Sequence, residues 1–415
     1  MELRPAPRWY LRLHWQIFLA MAAGIAAGVI GGEPFANRVE WLGQLFVRLL
    51  RMVIVPLVVT SIVSGVASVG GAGLRRLFTK TMGYYLLSSA LAILIGLSLT
   101  NLIRPGDGAD IGGAAARELP QLSPPGSVMD ILLSMVPDNL LQSAAKPDML
   151  PLIVFCILFG VAVAGLPERP RTTLTAFFDA AFRAMMRLTG GVIRLAPIGV
   201  FGLIARVAGT SGIATFKALA LYMATIAAGL TLHLFVVLPL LLLLLGRIRP
   251  AVHFRNMLEP LAMAFSTSSS GATLPVTIRA VENRVGVSNR VSSFVLPMGA
   301  TVNMDGTALY ECAGVLFIAQ VLGADLGFMQ QLLVVITALL ASIGAAAVPS
   351  AGLVIIFLVL EAVNLRGPQV DLIVGTMLAI DRPLDMYRTA VNVFSDSCGA
   401  AIIARSEGED GVDAS

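Results

Sequence analysis

Long unbroken runs of apolar residues, parted by short polar breaks, set the pattern of this chain; Leu13–Ile30, Tyr84–Leu102, Leu150–Leu166 and Leu219–Leu245 are the plainest. A helix needs about 20 apolar residues to cross a hydrocarbon core, so each run predicts a membrane-spanning helix. The breaks divide the chain into about eight spans, near 13–31, 40–68, 78–103, 130–166, 172–207, 214–246, 288–322 and 369–404. Lipid offers no partner to unpaired backbone groups, which leaves helices and closed barrels as the viable spanning structures. A transmembrane barrel alternates polar and apolar positions in short segments, whereas these runs are continuous. The expected fold class is an all-α integral membrane protein.

Two segments between the last spans do not fit that pattern. Residues 252–282 contain STSSSGATLP at Ser266–Pro275, and residues 326–364 contain SIGAAAVPSAG at Ser342–Gly352. Each places small and hydroxyl residues, with a proline, in the middle of a membrane-length stretch. Basic residues flank both ends of the first segment, so both its ends lie on one side of the membrane. Each segment therefore predicts a re-entrant hairpin, whose irregular tip is tolerated at membrane depth where it lines a protein-enclosed cavity. Paired interrupted segments of this kind point to a transporter binding site. Two kinked helices packed through small residues are the alternative.

Composition agrees with the pattern: of 415 residues, 57% are hydrophobic and 13% charged, against roughly a quarter charged in soluble domains. The net charge of +4 is small, and its distribution marks topology rather than nucleic-acid binding. Basic residues crowd alternate breaks: Arg4, Arg8 and Arg12; Arg75, Arg76 and Lys80; Arg169 and Arg171; Arg247, Arg249 and Arg255; Arg279, Arg284 and Arg290. By the positive-inside rule both termini are cytoplasmic, in a multi-pass protein of the cell's inner (plasma) membrane with lipid as its surrounding partner. The first run reads as a retained span rather than a signal peptide. Asp107–Pro125 reads as an external loop, and residues 406–415 as a polar, frayed tail. Cys156, Cys312 and Cys398 lie far apart in apolar segments and read as small buried hydrophobes.

Ionisable residues inside spans are costly and mark function. In the seventh span, Asn303-Met304-Asp305-Gly306-Thr307 interrupts an apolar helix, with Glu311 one turn beyond Thr307. Such a break frees backbone carbonyls, and with a carboxylate and an amide oxygen it can form an all-oxygen cage for a hard monovalent cation. In the eighth span Asp385, Thr389, Asn392 and Asp396 share one helix face, bordered by Arg388. A carboxylate and a guanidinium one turn apart suit a zwitterion with an extra carboxylate: Asp385 meets the ammonium and Arg388 grips the distal carboxylate in two places. Tyr84-Tyr85-Leu86-Leu87-Ser88-Ser89 sets hydroxyls in the third span, where interhelical hydrogen bonding is an equally good account. Burial disfavours a charged carboxylate, so Glu311 is expected to carry a proton during the cycle, unless it is a neutral acid bonded to the next helix. The histidines, His14, His233 and His253, fall outside these motifs, and no G-x-S-x-G is present, so an enzyme is not expected.

These motifs resemble the dicarboxylate/amino acid:cation symporter family over nearly the whole chain, most densely from Ala264 to Arg405. NMDGTALY at Asn303–Tyr310 and DMYRTAVNV at Asp385–Val393 carry the resemblance. It implies a glutamate-transporter-like fold: eight spans, two hairpins, inverted repeats and a homotrimer. A fixed scaffold would span approximately 13–68 and 130–207. A transport domain, approximately 78–103 and 214–405, would move against it as an elevator. It further implies a substrate site at Ser270, Thr307, Val348, Gly352, Asp385, Arg388, Thr389 and Asn392. Three sodium sites are implied: Gly299, Asn303, Asn392 and Asp396; Thr301, Ser342, Ile343 and Ala345, chiefly through carbonyls; and Tyr85, Ser88, Ser89, Asn303 and Asp305. Glu311 matches a glutamate of the members that move a proton. The chain departs from the family pattern at Ala345, a threonine in archaeal members. Ser268 and Met386 also depart, each standing where some members carry a second arginine; Arg382, one turn before Asp385, is a candidate substitute.

The expected function is sodium-coupled symport of aspartate or glutamate, with H+ as a further coupled ion. A same-fold carrier of C4-dicarboxylates lacks the ammonium that Asp385 calls for, and a carrier of neutral amino acids has no use for Arg388. An anion channel needs neither residue.

Overall fold

The computed structural model describes residues 13–67, 75–109, 135–145, 149–211, 214–343 and 351–409, with 111, 129, 133, 411 and 412 besides. These are almost wholly helical. Helix α1 is Leu13–Ala67, α2 Arg75–Ile103, α3 Leu140–Ala145, α4 Met149–Ala164, α5 Glu168–Ile193 and α6 Ala196–Ser211. Then follow α7 from Ala214 through two π turns to Gly246, α8 Pro250–Thr267, α9 Ser270–Ala280, α10 Asn289–Val302, α11 Asp305–Val321, α12 Phe328–Ile343, α13 Ala351–Ala362 and α14 Pro368–Ser406.

The first two expected spans meet at Gly32, whose φ of 59° and ψ of −160° break α1 into two helical arms. Pro34 follows in the next turn, where a missing N–H costs little. The expected span 172–207 is instead two helices, α5 and α6, bent by 47°. Of the expected fourth span, 130–166, the structure describes helices Leu140–Ala145 and Met149–Ala164, with 146–148 outside the described residues. Among the described residues, Trp15–Ala67, Arg76–Ile103 and Phe216–Gly246 are long and apolar enough to cross a membrane unaided, and the bent pair α5–α6 passes as one span. Of the remaining segments, those around Ser268 and Asn303–Met304 are broken, whereas Pro368–Ser406 runs as one helix.

The first odd segment is a helix break. Ser268 takes φ 50°, ψ 39°, ending α8, and Ser269 caps α9 by accepting from the Ala272 N–H. The two arms pack against each other and both pack on α14. In the second segment α12 and α13 flank residues 344–350, which lie outside the described residues together with the expected site positions Ala345 and Val348; α12 and α13 also pack together. The expected break in the seventh span separates α10 from α11, with Asn303 extended and Met304 at φ −121°.

Helix α1 packs chiefly against α6, α5 and α4, whereas α2 packs chiefly against α11 and α7. Helix α14 lies among α8, α10 and α11 and also touches α6 and α1. Every residue of α11 except Gln320 is buried, which makes it the central strut.

The tail expected to fray is docked as far as it is described. Glu407 pairs with Lys80 at 2.5 Å and Arg76 at 3.2 Å, Glu409 accepts from Ser288, and Val412 is buried. The hydrogen bond from Lys80 holds the Glu407 carboxyl below its ordinary range. Polarity alone did not reveal that two basic helix starts would face these carboxylates. Cys156, Cys312 and Cys398 are free and buried, as expected.

Candidate functional site

Helix α14 presents its charged stripe inward. Arg388 is 1% exposed, and Asp385, Thr389, Asn392 and Asp396 are all buried. The Arg388 Nη2 donates to Asp385 Oδ1 at 2.9 Å and lies 3.1 Å from Asp381 Oδ1. The guanidinium covers the Tyr310 ring at 4.0 Å. Its Nε and Nη1 have no hydrogen-bond partner among the described residues. Arg382 does face the site: its Nη1 reaches Asp385 Oδ2 at 3.3 Å. Thus Asp385 is gripped on both oxygens, and the α14 cluster alternates Asp381, Arg388, Asp385 and Arg382.

The surrounding elements close around this cluster. A Cβ added to Gly352, at the start of α13, would stand 2.7 Å from Arg388 Nη1, so the second hairpin touches the guanidinium. At Gly306 a Cβ would meet the Arg388 backbone at 3.0 Å, which is why the α11 start can lie flat on α14. The Gly306 N–H donates to Asn392 Oδ1 at 2.8 Å, and Asn392 Nδ2 donates to Thr307 Oγ1 at 3.3 Å. The Thr389 hydroxyl donates back to the Asp385 carbonyl at 2.8 Å. Ser270 is buried at the first position of α9, on an element that packs against α14.

A second polar cluster lies at the α10–α11 break. Asp305 Oδ1 accepts from Ser89 at 2.6 Å and Ser88 at 3.1 Å, and its Oδ2 accepts from Ser395 at 2.6 Å. Asn303 Nδ2 donates to Asp396 Oδ1 at 2.9 Å and to Ser395 Oγ at 3.0 Å, joining the two carboxylates in one network. Gly299 lies against the same carboxylate: a Cβ there would come 2.7 Å from Asp396 Cγ and 2.6 Å from the Tyr85 hydroxyl. Of the expected sets, Gly299, Asn303 and Asp396 lie together, as do Ser88, Ser89, Asn303 and Asp305, whereas Asn392 of the first set bonds Gly306 and Thr307. The Tyr85 hydroxyl instead donates to the Val295 carbonyl, leaving its own carbonyl, 3.5 Å from Ser88 Oγ, as the atom near that set.

The remaining set, Thr301 with Ser342, Ile343 and Ala345, is less complete. The Thr301 and Ser342 hydroxyls bond back to carbonyls of their own helices. Nothing is described of the Ile343 side chain or of Ala345. Glu311 is fully buried, and neither carboxylate oxygen has a hydrogen-bond partner among the described residues.

Three site residues escaped the sequence reading: Asp381, one turn before Asp385 and beside Arg388, Ser395 and His233. Ser395 bridges Asp305 and Asn303; its place three residues after Asn392, on the shoulder of the charged stripe, is a sign that could have found it. His233, expected to lie apart from the motifs, has Nε2 3.0 Å from Asp305 Oδ2, with both side chains fully buried. No local pattern signals that contact, because His233 stands among leucines on another helix.

Broken helices enclosing buried charges, on a multi-pass helical membrane protein, define a carrier of a small charged solute rather than an enzyme. A sequence model of the sodium:dicarboxylate symporter family matches residues 13–406. The chain is 34% identical to mouse excitatory amino acid transporter 3, covering 96% of this chain and 86% of that one. It is also 34% identical to the proton/glutamate-aspartate symporter of Escherichia coli K12, over 95% of this chain and 93% of the relative. The proton/sodium-glutamate symport protein of Geobacillus stearothermophilus is 33% identical, over 96% and 95%. The chain belongs to the sodium:dicarboxylate symporter family.

Proposed function

We propose that this protein is a sodium-coupled symporter of the acidic amino acids aspartate and glutamate. The observation that carries the substrate is Arg388: one nitrogen is anchored by Asp381 and Asp385, and the other two, of which Nη1 lies against Gly352, have no hydrogen-bond partner among the described residues. A bidentate guanidinium matches a carboxylate, and Asp385 beside it matches an ammonium. Thr307, Thr389, Asn392, Ser270 and Val348 complete the proposed site. The names of the relatives support acidic amino acids, and a C4-dicarboxylate would leave Asp385 without an ammonium.

Sodium as the coupling ion is supported by the donor chemistry around Asp305, Asn303 and Asp396, which is carboxylate, amide and hydroxyl oxygen, the set a hard cation prefers. Asn392 would serve both substrate and cation, linking the two bindings. Two relatives carry the word proton in their names, and Glu311, buried without a partner one turn from Thr307, is the residue proposed to move it.

The α1, α4, α5 and α6 group is proposed as the scaffold, and α2 with α7 to α14 as the transport domain that moves against it in a homotrimer. At the boundary between the two groups a cavity of about 170 Å³ lies between Glu40, Gln44 and Arg48 of α1, Leu203 of α6 and Asp371 of α14. Both termini are placed in the cytoplasm, and the membrane is the plasma membrane. The test is a binding panel on the purified protein. Aspartate and glutamate should compete with labelled aspartate in sodium and lose affinity in choline, while succinate and serine compete weakly. Equal aspartate affinity in the two buffers, or succinate as the best competitor, would overturn the proposal.

A further inference from the structure

His233 opens a π turn, His233–Val237, inside α7, in which the Leu238 N–H reaches back to the His233 carbonyl. Pro239 follows, without an N–H of its own. Such turns inside α-helices recur at functional sites. The ring is fully buried, its Nε2 is 3.0 Å from Asp305 Oδ2, and its Nδ1 has no hydrogen-bond partner among the described residues. A carboxylate only accepts, so the bond requires the proton on Nε2.

The other donors to Asp305 are the hydroxyls of Ser88, Ser89 and Ser395. A hydroxyl is a donor and an acceptor on a freely turning bond. When a cation enters, each hydroxyl can swing its proton away and offer a lone pair. An imidazole N–H fixed by packing has no such freedom. Its donation therefore persists whether or not a cation is bound, and it holds the carboxylate oxygen through one fixed N–H.

We propose that His233 is a positioning residue for cation binding: its Nε2–H fixes Asp305 Oδ2 so that the carboxylate stays aimed at the cluster of Ser88, Ser89 and Asn303. This rests on the reading of Asp305 as a cation ligand. Outer partners that orient a ligand in this way commonly change metal affinity about tenfold or more when removed.

The experiment is a sodium titration of the purified full-length protein without substrate, read as the rise in its thermal unfolding midpoint, for wild type, His233→Leu, His233→Gln and Asp305→Asn. His233→Leu should raise the sodium concentration for half-maximal stabilisation by about tenfold or more. His233→Gln, which keeps an amide N–H, should recover most of the loss, and aspartate affinity at saturating sodium should stay close to that of wild type in both. Should the leucine variant not fold, His233→Asn, whose amide is too short to reach Asp305, replaces it with the same expected loss. A sodium midpoint in His233→Leu close to wild type, or a glutamine variant no better than leucine, would overturn the inference and leave His233 as packing. If Asp305→Asn itself does not move the sodium midpoint, the cation-site reading fails instead, whatever the histidine variants do.

Discussion

Arg388 has two carboxylates on one nitrogen and, among the described residues, none on the other two, and the proposed substrate role rests on that imbalance. Replacing it by cysteine should therefore remove the partner of the distal carboxylate while Asp385 still meets the ammonium. Loss of a charge-assisted pair in a dry site costs about 2 kcal/mol or more, over tenfold in affinity. Aspartate affinity of Arg388→Cys, measured by calorimetry, should fall by at least that factor and neutral amino acids should gain; an unchanged value contradicts the assignment. Glu311→Gln should bind aspartate normally but abolish the lumenal acidification that a pH dye reports during uptake, and acidification equal to wild type would make Glu311 structural. At this scale the sequence was most legible where one helix carries the whole pattern. Asp385, Thr389, Asn392 and Asp396 could be read from periodicity alone. His233 could not, because its partner is 72 positions away on another helix and a lone histidine among leucines has no period.

The breaks, more than the helices, decide where the chemistry sits. Those at Ser268 and at Asn303–Met304 were legible, since small and polar residues in an apolar run leave the backbone no reason to stay helical. The π turns of α7 were not legible, because they depend on how neighbours pack and not on local composition. Close helix contacts are set by glycines that let backbones approach. At Gly96 of α2 a Cβ would stand 2.8 Å from the Leu309 carbonyl oxygen of α11, whereas at Gly83 of the same helix nothing lies within 4 Å. Gly96→Ala should force α2 off the central strut, at about 1–3 kcal/mol, the usual cost of overpacking, and Gly83→Ala should be close to neutral. Thermal unfolding of the two variants side by side checks this; equal midpoints would mean that the α2–α11 contact yields without cost.

At the scale of the whole molecule, two carboxylate clusters about one α-helix are joined through Asn392 and the α10–α11 break. Asn392 touches Thr307 and Gly306 of the substrate cluster, while Asn303, three residues before Gly306, holds Asp396. On the proposed assignment, ordering of one cluster by a cation would prepare the other for substrate, which is coupling in the thermodynamic sense, with each ligand raising the affinity of the other by the same factor. Across the boundary, Arg51 of α1 pairs with Asp371 of α14 and lies over Phe357 of α13, so any sliding of one helix group past the other must break that pair. The all-helical membrane architecture followed from hydropathy, because the bilayer leaves unpaired backbone groups no partner. The meeting of α2, α7, α11 and α14 at Asp305 is a property of packing that no single segment encodes. The most direct test is uptake of labelled aspartate by proteoliposomes under an inward sodium gradient. The account predicts accumulation above the external concentration that collapses when choline replaces external sodium; accumulation that is the same in choline, or none in either buffer from a well-folded protein, would contradict it.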